Sequence, residues 1–205
     1  MRTLVIASQK GGVGKTTLAG HLAVIAEQNN YGSVALIDTD SQGSLSSWWN
    51  ERKAETPLFA NVDIANLPQH LRQLEASGVK LAIIDTPPAV TETIHLVVAV
   101  ADLVLIPTRP SPHDLRAVGS TVEIVEAAGK KMVFVINGAA SRARITGEAA
   151  IVLSQHGTVA PVTIYQRTEF ASSMIDGRTV QEVNPNGKSH NEIIDLWKYL
   201  LTKLR

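Results

Sequence analysis

Two lysines, Lys10 and Lys15, stand within a glycine-rich segment near the start of the chain, in a pattern suited to phosphate chemistry. The segment follows an apolar run from Thr3 to Ser8 and has the sequence Lys10-Gly11-Gly12-Val13-Gly14-Lys15-Thr16-Thr17. Glycines let backbone N–H groups turn toward phosphate oxygens, Lys15 neutralises the β- and γ-phosphates, and the Thr16 hydroxyl reaches Mg²⁺. The pattern predicts a phosphate-binding loop between a strand and a helix, with Lys10 as an additional cation. We expect the nucleotide to be bound by Gly11, Gly12, Val13, Gly14, Lys15, Thr16 and Thr17.

Polar residues also follow three apolar runs farther along the chain. The runs Val34–Ile37, Leu81–Ile84 and Val133–Ile136 lead into Asp38-Thr39-Asp40, Asp85-Thr86-Pro87-Pro88 and Asn137-Gly138-Ala139-Ala140, respectively. An aspartate after an apolar strand typically holds the water shell of Mg²⁺, which predicts that role for Asp85. Asn137 could bind a base edge, and the uncharged residues after it favour adenine over guanine. The alternative interpretation is that these aspartates and this asparagine only cap turns.

Composition narrows the class of protein. The chain has 205 residues, 44% hydrophobic and 19% charged, which is typical of one well-buried globular domain. It contains no cysteine, which excludes disulfides, thiolate zinc sites and iron–sulfur clusters. The apolar start is too short for a signal peptide, and Asp102 interrupts the apolar region Leu96–Leu105, so we expect a soluble, cytoplasmic protein without a membrane span.

Short apolar runs alternate with helical patterns along the chain. Lys15–Gln28 places Leu18, Leu22 and Ile25 on one helical face, and Asn66 precedes Leu67 and Pro68 as an expected helix cap. The predicted strands after the first are Val34–Ile37, Leu81–Ile84, Leu103–Pro107, Met132–Ile136 and Val159–Ile164. Alternation of this kind predicts one doubly wound α/β domain over residues 1–205, a P-loop NTPase fold with a mainly parallel sheet flanked by helices. Its ligand edge should lie at the carboxyl ends of the strands.

Three segments carry a family resemblance. The glycine-rich loop, Asp38-Thr39-Asp40-Ser41-Gln42 and Ile83-Ile84-Asp85-Thr86-Pro87-Pro88 resemble the deviant Walker A, Walker A′ and Walker B boxes of the ParA/MinD partitioning ATPases. Because the first strand begins at Thr3, the chain is similar to the small ParA proteins that lack an N-terminal helix-turn-helix. Ser41 stands where ParA proteins usually have proline, which we expect to affect hydrolysis rate more than binding.

The resemblance implies a mechanism. It implies that two subunits sandwich two ATP molecules, with Lys10 reaching the partner's phosphates and Lys15 binding those of its own subunit. Asp40 would position the attacking water, and Thr16, Asp38 and Asp85 would hold the Mg²⁺ shell. The expected activity is weak, Mg²⁺-dependent ATP hydrolysis that a ParB-like or other adaptor protein and DNA stimulate.

The resemblance also implies an output, which is non-specific DNA binding in the ATP state and release on hydrolysis. The protein would then be nucleoid-associated and would position or segregate a plasmid, a chromosome or a protein organelle. Candidate DNA contacts are Arg167, Arg178, Lys198, Lys203 and Arg205, followed by Arg142 and Arg144. Each of them is alternatively a solvated surface charge.

A MinD-like membrane switch is the alternative function. Apolar residues near the end of the chain share one helical face, a pattern that either lies in a membrane interface or packs on the core. They are Ile193, Ile194, Trp197, Leu200, Leu201 and Leu204. We favour a helix that closes the core.

Overall fold

Strands and helices alternate along most of the chain in the computed structural model, which describes residues 1–88 and 92–204, and three helices in succession follow the last strand. The strands are β1 (Arg2–Ile6), β2 (Val34–Asp38), β3 (Leu58–Phe59), β4 (Leu81–Asp85), β5 (Leu103–Thr108), β6 (Met132–Ala139) and β7 (Thr158–Tyr165). The helices are α1 (Lys15–Gln28), α2 (Ser44–Asn50), α3 (Leu67–Ala76), α4 (Glu92–Ala99), α5 (Pro112–Ala127), α6 (Arg144–Ser154), α7 (Thr168–Ser173), α8 (Val180–Val183) and α9 (Lys188–Lys203).

All seven of these strands form one parallel sheet in the order β3-β2-β4-β1-β5-β6-β7. At its centre, Leu4 of β1 pairs with Ile83 of β4 on one side and with Leu103 of β5 on the other. Apart from polar residues at their ends, the central strands are apolar because helices cover both faces of the sheet. The predicted P-loop NTPase fold, a single α/β domain with a parallel sheet flanked by helices, is confirmed.

The two faces of the sheet carry two separate cores. Side chains alternate between the faces along β1, so Leu4 and Ile6 contact the α1 side, whereas Val5 and Ala7 contact the opposite side. The first core includes α1, α2 and α9, and the second includes α3, α4, α5 and α6. Because both cores are buried, the strand ends are held at fixed positions along the edge of the sheet.

The boundaries differ from the predicted ones mainly where polar residues are involved. Helix α1 covers the predicted range, but β2 and β4 each extend by one residue to include Asp38 and Asp85. Asn66 precedes α3 as expected but does not cap it, because its amide donates to Asp63 Oδ2 at 2.7 Å. Asp63 instead caps the short 3₁₀ turn before α3, accepting from the backbone N–H of Ala65.

Helix α9 closes the first core. Its apolar face packs against β7 and α1, with Ile193, Leu196, Trp197 and Leu200 buried. This placement confirms the interpretation of the apolar stripe as a closing helix rather than a membrane surface. In the described residues, no helix has the length and apolar character needed to cross a bilayer.

Candidate nucleotide-binding site

The predicted Mg²⁺ and phosphate residues meet at the carboxyl edge of the sheet. In the strand register, Asp85 of β4 lies beside Ile6 of β1 on one side and beside Asp38 of β2 on the other. The Thr16 hydroxyl, in the first turn of α1, donates to Asp85 Oδ2 at 2.5 Å. The structure thus brings together residues that lie far apart in the sequence.

Between β1 and α1, the glycine-rich loop folds around its own lysine. Lys15 is 7% exposed, and its Nζ donates to the backbone oxygen of Lys10 at 3.3 Å. Gly14 immediately precedes α1 with φ +90°, and a Cβ at this position would lie 2.3 Å from Asn137 Nδ2. Only glycine satisfies both the backbone conformation and this close approach.

The Lys10 side chain is exposed at the same edge. Within residues 1–88 and 92–204 it forms no ion pair. No described carboxylate therefore neutralises the Lys10 ammonium, which is exposed to solvent.

Burial sets the electrostatics of the site. Burial lowers the pKa of Lys15, although the nearby Asp85 and Asp40 carboxylates act to raise it. Asp85 is 1% exposed, and burial raises its pKa to about 7 despite the hydrogen bond from Thr16. Its Oδ1 is buried and has no hydrogen-bond partner among the described residues. An added cation at this oxygen would relieve the cost of burying the carboxylate.

This arrangement fits Mg²⁺ bound together with a nucleotide. The described residues contain no cluster of three or more acidic, histidine or cysteine side chains that could enclose a metal. Mg²⁺ commonly uses one or two carboxylates, several waters and substrate phosphates, so such a cluster is not required. The Thr16 hydroxyl and the unpartnered Asp85 oxygen supply suitable oxygen ligands.

Asp38 connects the strand end to helix α2. Its Oδ2 accepts hydrogen bonds from the backbone N–H groups of Leu45 (3.1 Å) and Ser46 (3.0 Å). Its Oδ1 accepts from the backbone N–H of Asp40 at 3.0 Å. A carboxylate at a helix N-terminus is stabilising because it satisfies unpaired N–H groups. Any movement of Asp38 would consequently shift the start of α2.

The neighbouring Thr39 fixes the end of β2 to β4. Both its backbone N–H and its hydroxyl donate to the backbone oxygen of Asp85, at 3.0 and 2.6 Å. Asp40 is half-buried, and its Oδ1 accepts from the backbone N–H of Gln42 at 3.0 Å. The predicted turn-capping interactions at Asp38 and Asp40 are therefore present, and they place both carboxylates beside the phosphate loop.

A cavity of about 370 Å³ adjoins the phosphate loop. Its lining includes Gly12, Gly14, Thr17, Arg109, Asn137, Gly138, Tyr165, Gln166, Arg167 and Phe170. Asn137 Nδ2 donates to the backbone oxygen of Val13 at 2.6 Å, so this amide braces the loop. Binding of an adenine edge by Asn137 stays a prediction.

Sequence reasoning missed Arg109 on the wall of this cavity. Arg109 immediately follows β5. Asp85 was identified because it follows an apolar run at the ligand edge. The same criterion applied to the predicted strand Leu103–Pro107 indicates Thr108 and, one position farther, Arg109.

The candidate DNA contacts lie in different surroundings. Arg167 is 29% exposed, lines the cavity and donates to Glu192 Oε1 from Nε (2.9 Å) and Nη2 (2.6 Å). The Glu192 hydrogen bond also raises the pKa of Arg167. Because these donors are paired with Glu192, they are less available to a DNA phosphate. Arg178 is exposed and pairs with Asp176 at 2.7 Å.

The remaining candidates include two lysines of α9 and two arginines at or just before the start of α6. Lys198 lies 3.9 Å from Asp195, and Lys203 lies 5.3 Å from the centre of the Tyr199 ring. Arg144 pairs with Glu148 at 2.9 Å, and Arg142 is exposed. Arg205 lies outside the described residues. Of the described candidates, Lys198 and Lys203 share helix α9, which also supplies the Glu192 that pairs with Arg167.

A basic surface that the sequence analysis did not identify lies at the amino ends of the strands. Arg2, Lys130, Lys131 and Lys203, here called the amino-edge patch, surround a concavity of about 220 Å³. Arg2 pairs with Asp102 at 3.1 Å, whereas no described carboxylate forms an ion pair with the three lysines. The signal in the sequence is the adjacent pair Lys130-Lys131 directly before β6. This patch is at the opposite edge of the sheet from the phosphate loop.

Comparisons with known proteins agree with this geometry. Residues 4–180 match the model of the family described as CobQ/CobB/MinD/ParA nucleotide binding domain. The chain is 28% identical over 196 residues to the maintenance of carboxysome distribution protein A of Halothiobacillus neapolitanus, an alignment covering 91% of this chain and 90% of that protein.

Two solved structures share the fold. The MinD cell division protein of Aquifex aeolicus is 19% identical with a TM-score of 0.82, covering 98% of this chain and 97% of that one. A variant of McdA from Cyanothece in complex with ATP is 21% identical with a TM-score of 0.74, covering 98% and 96%. At these identities the likeness establishes the fold alone.

Proposed function

Because the chain belongs to the CobQ/CobB/MinD/ParA nucleotide-binding domain family, whose ParA and MinD members are ATPases, we propose that it is an ATP-driven switch that positions a large cargo on DNA. ATP binding forms a sandwich dimer, the dimer binds DNA non-specifically, and hydrolysis releases it. This cycle makes DNA binding depend on nucleotide state. The intrinsic hydrolysis is weak, and an adaptor protein and DNA stimulate it.

One observation carries this proposal, which is the contact between Thr16 and Asp85 beside the buried Lys15. A buried lysine, a hydroxyl and an unpartnered carboxylate oxygen are the groups that a Mg²⁺-nucleotide requires. We assign phosphate binding to the backbone of Gly11 through Thr17 and to the Lys15 ammonium. Thr16, Asp38 and Asp85 would hold the Mg²⁺ shell, and the ion would neutralise charge on the phosphates.

Lys10 supports the dimeric form of the switch. Its side chain is exposed at the ligand edge, whereas Lys15 is buried and points into the loop. A cation that faces outward can reach phosphates bound to a second copy of the chain. It would stabilise charge on the transferred group and make dimerisation depend on the nucleotide. Asp40, next to this loop, would position the attacking water.

DNA is the proposed ligand of the amino-edge patch. Lys130, Lys131 and Lys203 lie opposite the nucleotide edge, so they stay accessible when that edge faces a partner copy. The slope of log affinity against log salt concentration changes by about 0.9 for each phosphate that the protein neutralises. A dimer with two patches neutralises twice as many phosphates as one subunit, so it should bind DNA far more tightly. Arg178 and Lys198 are exposed and are additional candidate contacts.

The proposed cargo is a protein organelle, a plasmid or a chromosome. Similarity over about nine-tenths of both chains to a protein named for carboxysome distribution supports an organelle. The cargo would carry a ParB-like or other adaptor that stimulates hydrolysis, and the protein would be nucleoid-associated in its ATP state.

The burial of the apolar face of α9 counts against the membrane-switch alternative. That alternative needed the apolar face of α9 at the surface, but Ile193, Trp197 and Leu200 are buried in the core. The structural similarity to MinD concerns the fold alone.

Measuring ATP turnover and DNA binding together tests the proposed cycle. Wild-type protein with Mg²⁺ and ATP should hydrolyse slowly and bind DNA transiently. Asp40→Ala should bind ATP, hydrolyse it more slowly by at least about a hundredfold, and stay on DNA, because the carboxylate proposed to position the attacking water is lost. A wild-type chain that binds no ATP, or that binds DNA equally with and without ATP, would contradict the proposal.

A further inference from the structure

We propose that Arg109 binds the phosphate chain of the nucleotide, as a cation that its own subunit supplies in addition to Lys15. The inference depends on the proposed nucleotide-binding function and adds a residue to that site. It rests on where the Arg109 side chain begins, where it ends and which charges surround it.

Arg109 begins at a fixed point on the ligand edge. It immediately follows β5, which lies between β1 and β6 in the sheet. Its backbone oxygen accepts from the N–H of Ser111 at 2.8 Å, and the Ser111 side chain caps α5 by accepting from the N–H of Asp114 at 3.1 Å. The backbone is thus anchored between two regular elements, and the side chain extends from there into the wall of the cavity.

The direction of the side chain follows from its distances to two glycines. Its stem passes Gly138, where an added Cβ would lie 3.5 Å from Nε and 3.7 Å from Cγ of Arg109. Its tip reaches the phosphate loop, where an added Cβ on Gly12 would lie 4.0 Å from Nη2. The guanidinium therefore ends at the phosphate loop rather than at the far end of the cavity.

The guanidinium group of Arg109 is available to bind a ligand. In the described ranges 1–88 and 92–204, Arg109 forms no ion pair. The second arginine on this cavity, Arg167, pairs with Glu192 and lies 5.6 Å from the centre of the Tyr165 ring. Of these two arginines, Arg109 is the one whose donors are available to a ligand.

A phosphate is the ligand that this geometry fits best. Guanidinium is planar, always charged and able to donate two parallel hydrogen bonds to phosphate oxygens. A hydrogen bond to a charged group contributes about 1.5–3 kcal/mol, which corresponds to a tenfold or greater change in affinity. The guanidinium would stack on the base only if the tip of the Arg109 side chain lay away from the phosphate loop, whereas Nη2 lies beside Gly12 of that loop.

Titration of the full chain with adenosine, ADP and ATPγS in the presence of Mg²⁺ tests the assignment. We expect Arg109→Ala to weaken ATPγS and ADP binding by about tenfold and to leave adenosine binding unchanged, because adenosine carries no phosphate. Arg109→Lys should recover part of the loss, since lysine keeps the charge but not the paired donors. Arg116→Ala, an exposed arginine on α5, is the matched control and should bind all three ligands as the wild type does.

The outcomes separate this inference from the function on which it rests. Wild-type protein that binds ATPγS, together with an Arg109→Ala variant of equal affinity, would overturn the role of Arg109 alone. An equal loss for adenosine and ATPγS would overturn it in favour of base stacking. Wild-type protein that binds no nucleotide would overturn both proposals.

Discussion

The Thr16 hydroxyl lies 2.5 Å from Asp85 Oδ2, and this contact joins the first turn of α1 to the end of β4. The two residues are 69 positions apart in the chain. The other oxygen of Asp85 is buried without a partner among the described residues. A hydroxyl and a carboxylate held in this way have the geometry of a Mg²⁺ site that a nucleotide completes.

Asp85→Asn should abolish the gain in ATP affinity that Mg²⁺ provides. The amide keeps the size of the side chain but removes its negative charge, and loss of a metal-site residue typically costs about 10–100-fold in metal affinity. Calorimetric titration with ATP, with and without Mg²⁺, measures the effect. Asp195→Asn, an exposed aspartate on α9, is the control. If Asp85→Asn retains the full Mg²⁺-dependent gain, Asp85 is not part of the metal site.

Lys10→Ala should prevent ATP-dependent dimerisation without preventing ATP binding. The exposed ammonium is the group proposed to reach the partner's phosphates, whereas Lys15 binds those of its own subunit. Light scattering with ATPγS and Mg²⁺ measures the dimer fraction. Lys53→Ala, at another exposed lysine, should dimerise as the wild type does. An unchanged dimer fraction in Lys10→Ala would refute the role of Lys10.

Replacing Lys130 and Lys131 together with alanine should weaken DNA binding in the ATP state. If each lysine neutralises one phosphate, the slope of log affinity against log salt should fall by about 2 per subunit. Gel shift at several salt concentrations measures this slope. The matched control replaces Lys53 and Lys188, which are exposed outside the patch. Equal slopes for the two double variants would place the DNA contacts elsewhere.

Acidification should destabilise the protein through His21. Burial lowers the pKa of His21 from 6.5 to about 4, although its contact with the Thr17 oxygen and the nearby Glu182 charge act to raise it. Between these values the unfolded chain binds a proton that the folded His21 excludes, so the contribution of His21 to the free energy of unfolding is complete above pH 6.5 and is lost as pH decreases toward 4. Asp85 acts in the opposite direction over the same range, because its pKa is raised to about 7 in the folded chain. The shift corresponds to about 3 kcal/mol at most.

Urea unfolding at pH 7 and pH 5 measures that effect. The His21 ring nitrogens contact the backbone oxygen of Thr17 (2.7 Å) and the N–H of Val180 (3.2 Å), so the neutral ring links α1 to α8. His21→Gln removes the titrating group, so on going from pH 7 to pH 5 its free energy of unfolding should change in the stabilising direction relative to that of the wild type. His156→Gln, at an exposed position, should follow the wild type. A pH dependence that is unchanged in His21→Gln would assign the acid sensitivity to other residues.

Trp197→Ala should cost about 3–5 kcal/mol of unfolding free energy, because a large buried side chain is replaced by a cavity. Trp197 is 1% exposed and packs edge-on against Tyr31, with ring centres 5.3 Å apart. Chemical denaturation gives the free energy of unfolding. Co-sedimentation of the wild-type protein with anionic vesicles and ATP is the companion measurement, and we expect no binding. Vesicle binding by the wild type would restore the membrane interpretation of α9.

Much of the fold was predictable because its signals are local. The apolar runs of β1, β2 and β4 and the helical spacing of α1 specify elements whose faces must be buried. The two-residue β3 and the seven-residue α2 were missed because neither is long enough to show a period. Helix α2 also depends on Asp38, whose carboxylate accepts from its first N–H groups across six intervening residues.

Surface charges were the least predictable part of the site. Arg167 was expected to face DNA, but the approach of α9 to β7 pairs it with Glu192, 25 residues away. Lys130, Lys131 and Lys203 form one patch only because β6 begins where α9 ends. A local pattern does not specify such neighbours, since each depends on how distant elements pack.

Residue types and their spacing were enough to predict a phosphate loop with two lysines, aspartates at strand ends and a parallel sheet that positions them. These features follow from residue type and short-range periodicity. Only the tertiary structure decided that Thr16 meets Asp85, that Asp38 caps α2, that Arg109 points at the phosphate loop and that the apolar face of α9 is buried. Those relationships depend on strand order and on helix packing, because parallel strands bring the ends of distant segments to one edge.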